Sequence, residues 1–213
     1  QLWDKGLIYE ADKVVPYCPR CGTALSSHEV AQGYRDVDDP SIYVRFPLRD
    51  TPGTSLLVWT TTPWTLPANL GISVHPDFDY SAVAAGENVY IVASELAAAF
   101  AETCELGELK ELARFKGSKL DRLEAQHAWL DRVSLIMNGD HVTLGEADAE
   151  VELDARYENK SAKKSGTGCV HTAPGHGADD FAISKKYGLE VYAPVDAAGN
   201  FTADVEHFAG ENI

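Results

Sequence analysis

Short runs of apolar and β-branched residues, separated by turns rich in Gly, Pro, Asn and Asp, fill most of this chain. Runs of this kind are typical of strands, because successive side chains of a strand point to opposite faces. The sequence therefore predicts a mainly β domain with some α+β character, a distorted β-barrel core and few helices. The predicted strands are Lys13–Tyr17, Glu29–Arg35, Ile42–Pro47, Ser55–Thr61, Gly71–Val74, Tyr80–Ala85, Asn88–Ala93, Glu111–Phe115, Val133–Met137 and Gly168–His171.

Two short helices are expected beside these strands. Ser94 is a good N-cap for a helix that runs through Glu102, a stretch rich in Ala, Leu and Glu. The second helix is predicted at Ala178–Tyr187, with Gly188 at its end.

The chain is predicted to have two parts. Residues 1–50 form connecting strands, and residues 51–213 form the core, with a surface insertion at 146–165 whose alternating apolar residues indicate a hairpin. The sequence lacks an initiator Met and opens in what reads as the last turn of a helix ended by Gly6. We therefore expect both ends to continue in a longer protein, and we expect the chain itself to be monomeric.

The net charge of −15 argues against a protein that grips nucleic acid by charge alone. No Lys or Arg occurs between Arg49 and Lys110, whereas residues 156–164 are locally basic. Any contact with nucleic acid should therefore be local, with the main binding surface elsewhere. No apolar run has the length of a membrane span and the first residues do not resemble a signal peptide, so we expect no membrane partner.

The cysteines offer one candidate metal-binding feature. Cys18-Pro-Arg-Cys21-Gly has the form of half a zinc knuckle. Two interpretations stay open: a zinc site completed by residues outside the chain, or a turn with two free thiols. Cys104 and Cys169 stand alone, so we predict no metal site within this chain by itself. Neither interpretation implies a disulfide scaffold, which indicates a reducing, cytoplasmic location.

The first candidate site segment, Trp59–Asn69, follows an apolar strand and reads Trp-Thr-Thr-Thr-Pro-Trp-Thr-Leu-Pro-Ala-Asn. Pro63 and Pro67 interrupt strand pairing and fix the path of the loop. The hydroxyls and the amide of this rigid loop suit a sugar, an ester carbonyl and an ordered water. Threonine is also simply a common strand residue, so only its combination with the prolines and tryptophans is distinctive.

The second segment, residues 166–180, reads Gly-Thr-Gly-Cys-Val-His-Thr-Ala-Pro-Gly-His-Gly-Ala-Asp-Asp. Its glycines allow the backbone to approach a ligand closely. The first turn of the predicted helix holds Asp179 and Asp180; one is expected as a cap or dipole partner, and the other is left to bind a cation such as an ammonium group. His171 could act as a base, a hydrogen-bond donor or a steric wall, although a single His is more often structural.

Both segments resemble the editing domain of class I isoleucyl-tRNA synthetases, a large insertion in that family's catalytic domain. Its signatures match Thr-Thr-Thr-Pro-Trp-Thr-Leu-Pro-Ala-Asn and Gly-Thr-Gly-x-Val-His-Thr-Ala-Pro-Gly-His-Gly-x-Asp-Asp. The similarity extends to three flanking stretches, residues 13–30, 39–48 and 139–143. It is weakest at 87–130 and absent at 146–165. The valyl and leucyl enzymes typically have Thr-Thr-Arg-Pro in the first segment, so Thr62 and Trp64 favour the isoleucyl type.

The chain departs from the family's pattern at two places. His127-Ala128-Trp129 stands where the family usually has His-Pro-Phe, and residues 146–165 stand where the family passes directly into Gly-Thr-Gly. The family's adenylate-forming signatures, His-x-Gly-His and Lys-Met-Ser-Lys-Ser, are missing. The resemblance therefore implies a part that does not activate an amino acid, with ATP used by a synthetic domain outside this chain.

The resemblance implies hydrolysis of valine wrongly attached to tRNA(Ile), and of valyl-adenylate as a further substrate. One missing methylene changes binding by only about 1–3 kcal/mol, a limit for which the isoleucyl enzymes are themselves the usual example. A second site must therefore remove the valine that the synthetic site accepts. The implied partners are the 3′ end of tRNA(Ile), the valyl-adenosine moiety and the rest of the synthetase. Editing needs no cofactor, and zinc could bind the full-length enzyme.

The same resemblance assigns roles to individual residues. Asp180 binds the α-ammonium group, His171 excludes isoleucine by size, and water oriented by the threonines is the nucleophile. No Ser sits in a nucleophile turn beside either segment, so a Ser–His–Asp arrangement is not expected. The predicted catalytic residues are Thr61, Thr62, His171 and Asp180; the predicted substrate-binding residues are Trp59, Thr60, Thr65, Asn69, Gly175, His176 and Asp179.

Three alternatives remain. The first is editing of the valyl or leucyl type on the same fold, which assays with threonyl and norvalyl esters would separate. The second is a non-catalytic β docking module, favoured by Cys18 and Cys21, which predicts no ester hydrolysis. The third is a free-standing hydrolase that clears mischarged tRNA, against which the missing start argues.

Overall fold

The computed structural model describes residues 1–34, 40–144 and 166–213. The chain divides into two compact units, Gln1–Val37 with Pro174–Ile213, and Asp38–Ala173. The sequence-based division after residue 50 stays a prediction. The hairpin predicted at 146–165 lies outside the described residues.

Strands dominate the described residues, and the helices are short. The strands are β1 Tyr17–Cys18, β2 Thr23–Ala24, β3 Ile42–Pro47, β4 Thr54–Thr60, β5 Gly71–Val74, β6 Asp79–Ala85, β7 Asn88–Ala93, β8 Lys110–Lys116, β9 Glu124–Gln126, β10 Val133–Asn138 and β11 Cys169–Thr172. The α-helices are α1 Ser27–Ala31, α2 Ala97–Thr103 and α3 Ala178–Tyr187, and 3-10 helices span Pro63–Ala68, Ser94–Leu96 and Gly117–Lys119. The prediction of a mainly β protein with few helices is confirmed.

The larger unit contains two sheets. A five-stranded sheet has the order β3-β4-β7-β6-β8, and a four-stranded sheet has the order β11-β5-β10-β9. The pairs β4–β7 and β5–β10 are parallel, and the others are antiparallel. An isolated bridge from Leu48 to Ala125 joins the end of β3 to β9. The predicted barrel-like core therefore takes the form of two linked sheets, and over the described residues neither closes into a barrel.

Strand β4 of the five-stranded sheet has buried residues on both faces. Leu56 and Val58 belong to a core that also contains Ile72 of the other sheet. Leu57, between them, packs in a second cluster with Phe100 of α2. This alternation follows from the period of two along a strand. Replacing a fully buried leucine such as Leu56 with Ala should cost about 2–5 kcal/mol of unfolding free energy.

Most predicted strands are confirmed, and two differ. Only Tyr17 of the predicted strand Lys13–Tyr17 is paired, in β1. The predicted strand Glu29–Arg35 is wrong where the structure describes it, because α1 forms there. Ser26 accepts a bond from the Glu29 N–H while the Glu29 carboxylate accepts from the Ser26 N–H, a capping box that starts this helix.

Ser94 does not cap a helix through its side chain. Its hydroxyl instead lies 2.6 Å from that of Ser81. Ser94 opens a 3-10 helix that leads into α2, so the predicted helical stretch itself is confirmed.

The smaller unit contains the β1–β2 hairpin, α1 and α3. Helix α3 has the predicted limits and ends at Gly188, whose φ of 75° is left-handed. Lys185 and Lys186 lie in its last turn and two aspartates in its first, the arrangement that complements the helix dipole. Within the described residues, no helix has the length and apolar character that crossing a membrane requires.

Candidate active site

The first segment turns sharply where β4 ends. Thr62 donates its backbone N–H to the Thr60 hydroxyl at 3.1 Å, and a 3-10 helix begins at Pro63. Proline suits this first position because its missing N–H would lack a helical partner there. The helix closes at Asn69, whose N–H donates to the Leu66 carbonyl at 2.9 Å. The segment that the sequence predicted as a rigid loop is thus a 3-10 helix that contains both prolines.

A buried hydrogen-bond network joins this helix to the second segment. Thr65 Oγ1 lies 2.6 Å from His171 Nε2, and it donates to the Thr62 carbonyl at 2.8 Å. Asn69 Nδ2 lies 3.2 Å from His171 Nδ1. Asn69 lies two residues before the start of β5, and His171 lies in the neighbouring strand β11, opposite Ile72. Sheet pairing therefore brings together residues that are 106 positions apart.

The threonines of the first segment differ in accessibility. Thr61 and Thr62 are exposed, whereas Thr60 and Thr65 are buried. Thr62 Oγ1 lies 3.4 Å from both Thr60 Oγ1 and Thr65 Oγ1. A line of hydroxyls therefore leads from solvent to His171, whose side chain is 7% exposed. Such a line can hold a polar ligand and water, because each hydroxyl both donates and accepts.

Trp59 stands beside the start of the second segment. It pairs with Tyr43 in the neighbouring strand and is half-buried. A Cβ added to Gly166 would lie 3.8 Å from its ring. Gly168 has a φ of 70°, and a Cβ there would come within 2.5 Å of that of Ala93. Glycine is required at Gly168 for both reasons, which accounts for part of the Gly-Thr-Gly signature.

Two side chains outside both segments donate hydrogen bonds to carbonyls of the 3-10 helix. His127 Nδ1 accepts the backbone N–H groups of Trp129 and Leu130, so Nε2 carries the proton and donates to the Leu66 carbonyl at 3.0 Å. Arg132 donates to the Pro67 carbonyl. Burial lowers the pKa of His127, opposed by its bond to the carbonyl and assisted by the nearby Arg132 cation.

The remaining predicted site residues belong to the smaller unit. A Cβ on Gly175 would come within 2.5 Å of the Ala193 Cβ, so packing alone requires a glycine there. Burial lowers the pKa of His176. Asp179 is exposed and Asp180 half-buried in the first turn of α3. The helix has no side-chain cap, and a Cβ on Gly177 would lie 3.1 Å from the Asp180 carboxylate, which therefore lies against the helix N-terminus.

The two cysteines of the knuckle lie in the β1–β2 hairpin. The Cys21 N–H points to Cys18 Sγ at 3.4 Å, and Gly22 takes a φ of 66°. Hydrogen bonds from Cys21 lower the pKa of the Cys18 thiol. The two thiols fit half of a tetrahedral zinc set. No cluster of three or more metal-ligating side chains occurs among residues 1–34, 40–144 and 166–213.

Comparison with known proteins decides the family. The family described as tRNA synthetases class I (I, L, M and V) matches residues 1–185. This chain belongs to that family. It is 44% identical over 99% of its length to an isoleucine–tRNA ligase of Enterococcus faecalis, and 46% identical over 97% to one of Bacillus cereus. It spans 21% of the length of each of these ligases.

Solved structures of this synthetase family share the fold. The Plasmodium knowlesi cytosolic leucyl-tRNA synthetase editing domain superposes with a TM-score of 0.52 and 16% identity, over 74% of this chain and 66% of that one. The crystal structure of GlLeuRS-CP1 gives a TM-score of 0.51 and 18% identity, over 71% and 66%. The chain therefore shares the fold of these editing domains.

Sequence reasoning did not select every residue that supports this site. His127 was named only as part of His127-Ala128-Trp129, a stretch that departs from His-Pro-Phe, and Arg132 was not predicted. Ser134, whose Oγ donates to Asn69 Oδ1 at 2.6 Å, was also missed. A signal for Ser134 was present, since a polar residue at a buried strand position needs a partner. The identity of that partner was not readable from the sequence.

Proposed function

We propose that this chain hydrolyses the ester between valine and tRNA(Ile) and spares the isoleucyl ester, with valyl-adenylate as a second substrate. The observation that carries the proposal is the line of threonine hydroxyls that leads from solvent to the buried Thr65–His171 bond. Its setting, an editing-domain fold in a chain similar to isoleucine–tRNA ligases, narrows the substrate to an aminoacyl ester. The proposal places editing here and amino-acid activation with ATP outside the chain.

A rigid site can select its substrate by the size of the amino-acid side chain. An apolar pocket that holds both side chains would favour isoleucine over valine, because the extra methylene of isoleucine is worth about 1–3 kcal/mol of binding. A rigid wall can refuse the larger side chain by a clash instead. His171 suits that role because both of its ring nitrogens are held by Thr65 and Asn69.

The exposed hydroxyls of Thr61 and Thr62 are the groups available to the ester and its attacking water. An aminoacyl ester is already activated, so positioning can supply much of the rate. We assign Asp180 to the α-ammonium group, since a carboxylate forms a charge-assisted bond with it. Thr65 and Asn69 then act mainly behind the substrate, as both are buried. The full predicted substrate-binding set of the sequence analysis stays part of the proposal.

The proposal includes partners and needs no cofactor for hydrolysis. The 3′ end of tRNA(Ile) presents the ester, and the rest of the synthetase supplies most of the grip on tRNA, because the net charge of this chain is −15. Zinc, if bound, is held by Cys18 and Cys21 with ligands from outside the chain.

The test is deacylation of valyl-tRNA(Ile) by the wild-type chain and by Asp180→Ala. We expect the variant to lose activity by at least about 100-fold, because misplacement of the reacting ester by as little as 1 Å can cost that much. Glu190→Ala, which removes an exposed carboxylate just beyond the same helix, is the matched control and should retain activity. Full activity of Asp180→Ala would refute the ammonium anchor.

The substrate range separates the proposal from its alternatives. Faster hydrolysis of the norvalyl ester on its leucine tRNA would indicate leucyl-type editing, and faster hydrolysis of the threonyl ester on its valine tRNA would indicate valyl-type editing. Absence of hydrolysis with all four esters, the valyl and isoleucyl ones included, would favour a docking module.

A further inference from the structure

Ser134 lies outside both site segments, yet it contacts the network that holds His171. It is fully buried in β10, within the apolar run Val133-Ser134-Leu135-Ile136-Met137. The topology explains the contact: β5 lies between β11 and β10, and Asn69 lies two residues before β5 begins. Asn69 therefore reaches His171 on one side and Ser134 on the other.

A neighbour that can only accept a hydrogen bond identifies which way the Asn69 amide is oriented. The atom assigned as Nδ2 lies 2.8 Å from the carbonyl oxygen of Gly71. A flipped amide would place two oxygens at that distance, which is repulsive. Nδ2 is therefore at this position, and Oδ1 must accept from the Ser134 hydroxyl at 2.6 Å.

The oriented amide then decides which nitrogen of His171 carries a proton. Asn69 Nδ2 is a donor only, and it lies 3.2 Å from His171 Nδ1. Nδ1 must accept, so the neutral ring carries its proton on Nε2. Nε2 donates to Thr65 Oγ1 at 2.6 Å, and the Thr65 hydroxyl donates in turn to the Thr62 carbonyl at 2.8 Å. Hydrogen bonds thus run in one direction, from Ser134 to a carbonyl acceptor.

We propose that Ser134 is a positioning residue of the editing site, which through Asn69 holds His171 as the Nε2-protonated tautomer. The inference rests on the proposed function for its catalytic consequence. His171 then has no ring nitrogen free to take a proton from water, because Nδ1 accepts from Asn69 and Nε2 already carries its proton. His171 serves as a fixed wall and orients Thr65, and the water is activated by other groups.

The first readout is the tautomer itself. Two-bond ¹H–¹⁵N correlation spectra of the chain with ¹⁵N-labelled histidine distinguish the Nε2-protonated ring, the Nδ1-protonated ring and the imidazolium. We expect His171 to show the Nε2-protonated form in the wild-type chain. Ser134→Ala should give a mixture, because Asn69 Oδ1 is then buried without its donor and only the bond to the Gly71 carbonyl still opposes rotation of the amide.

The chain offers a closely matched control in Ser73→Ala. Ser73 is also fully buried in the same sheet, and its hydroxyl lies 2.8 Å from Thr172 Oγ1. It has no bond to Asn69 or His171. This variant should therefore keep the wild-type tautomer. If Ser134→Ala does not fold, Ser134→Cys keeps the volume and replaces the hydroxyl with a weak donor.

The second readout is hydrolysis. We expect Ser134→Ala to lower kcat for the valyl ester by about 10- to 100-fold with little change in KM, as loss of a supporting bond to an active-site side chain does. Ser134→Thr, which keeps the hydroxyl, should recover most of this loss. An Nδ1-protonated or doubly protonated His171 in the wild-type chain would overturn the proposal. An unchanged tautomer in Ser134→Ala, or in Ser134→Cys where Ser134→Ala does not fold, would overturn it as well.

Failure of the two proposals can be told apart. A wild-type chain that hydrolyses neither the valyl nor the isoleucyl ester contradicts the proposed function. The histidine spectra still decide whether Ser134 sets the tautomer in that case, since they need no substrate.

Discussion

Replacing Tyr80 with Phe removes a single oxygen that joins three parts of the larger unit. Tyr80 is fully buried in β6, and its hydroxyl donates to the Gly168 carbonyl at 2.5 Å while it accepts the His75 N–H at 3.0 Å. Burial raises the pKa of this phenol well above its usual range, so the hydroxyl stays protonated and remains a donor at every working pH. Phe keeps the ring, so no large cavity forms.

The cost of Tyr80→Phe is the loss of these two bonds. The Gly168 carbonyl would be buried without its donor, a penalty of about 1–3 kcal/mol. His75 is only half-buried, so its N–H can find water and adds about 0.5–1 kcal/mol. We expect unfolding free energy to fall by about 2–4 kcal/mol. With a urea dependence of about 2 kcal/mol per molar, the midpoint should drop by about 1–2 M.

Urea titration followed by tryptophan fluorescence measures this loss. Trp59, Trp64 and Trp129 all lie in the unit that contains Tyr80, so the signal reports mainly on that unit. Tyr90→Phe is the control: Tyr90 is a buried neighbour in β7 whose hydroxyl has no hydrogen-bond partner among the described residues. A loss below about 0.5 kcal/mol in Tyr80→Phe, the range of ordinary surface changes, would refute the reasoning.

Two further predictions concern titration and reactivity. Unfolded His127 has a pKa near 6.5, whereas burial lowers the pKa in the folded chain. The contribution of His127 to the unfolding free energy should therefore be complete above about pH 6.5 and be lost as pH falls through the lowered pKa. Urea titrations at several pH values should show this decline, and it should be less steep in His127→Gln. Iodoacetamide followed by mass spectrometry should modify Cys18 before Cys104, and Cys169 only on unfolding, because hydrogen bonds favour the Cys18 thiolate whereas burial raises the other two pKa values. A pH-independent stability, or Cys169 labelled first, would contradict them.

The strands of the larger unit could be predicted because their signal is local. Ile42–Pro47, Gly71–Val74 and Asn88–Ala93 have the predicted limits, since apolar alternation and flanking turns mark each one. β9 was missed because Glu124–Gln126 carries no apolar pattern and forms only by pairing with β10. Helix α1 was not predicted, because the residues that follow the capping box at Ser26 resemble those of a strand.

The sequence allowed candidate site residues to be selected, but it did not show which of them hydrogen-bond to one another. Pro63 and Pro67 predicted a rigid loop, and the structure has a 3-10 helix at Pro63–Ala68. The bond from Thr65 to His171 depends on sheet order, which no local pattern contains. The same holds for Ser134, which meets Asn69 only because β5 and β10 are parallel neighbours. The roles of Asp179 and Asp180 toward substrate stay predictions.

The most direct test of the central claim is a comparison of two rates in one preparation. Valyl-tRNA(Ile) and isoleucyl-tRNA(Ile) are incubated with the chain, and the loss of each ester is followed against its spontaneous hydrolysis. Size exclusion at His171 predicts that the valyl ester is hydrolysed at least about 10-fold faster, because the clash with the larger side chain must outweigh the about 1–3 kcal/mol by which its extra methylene favours binding. Equal rates for the two esters would contradict the account.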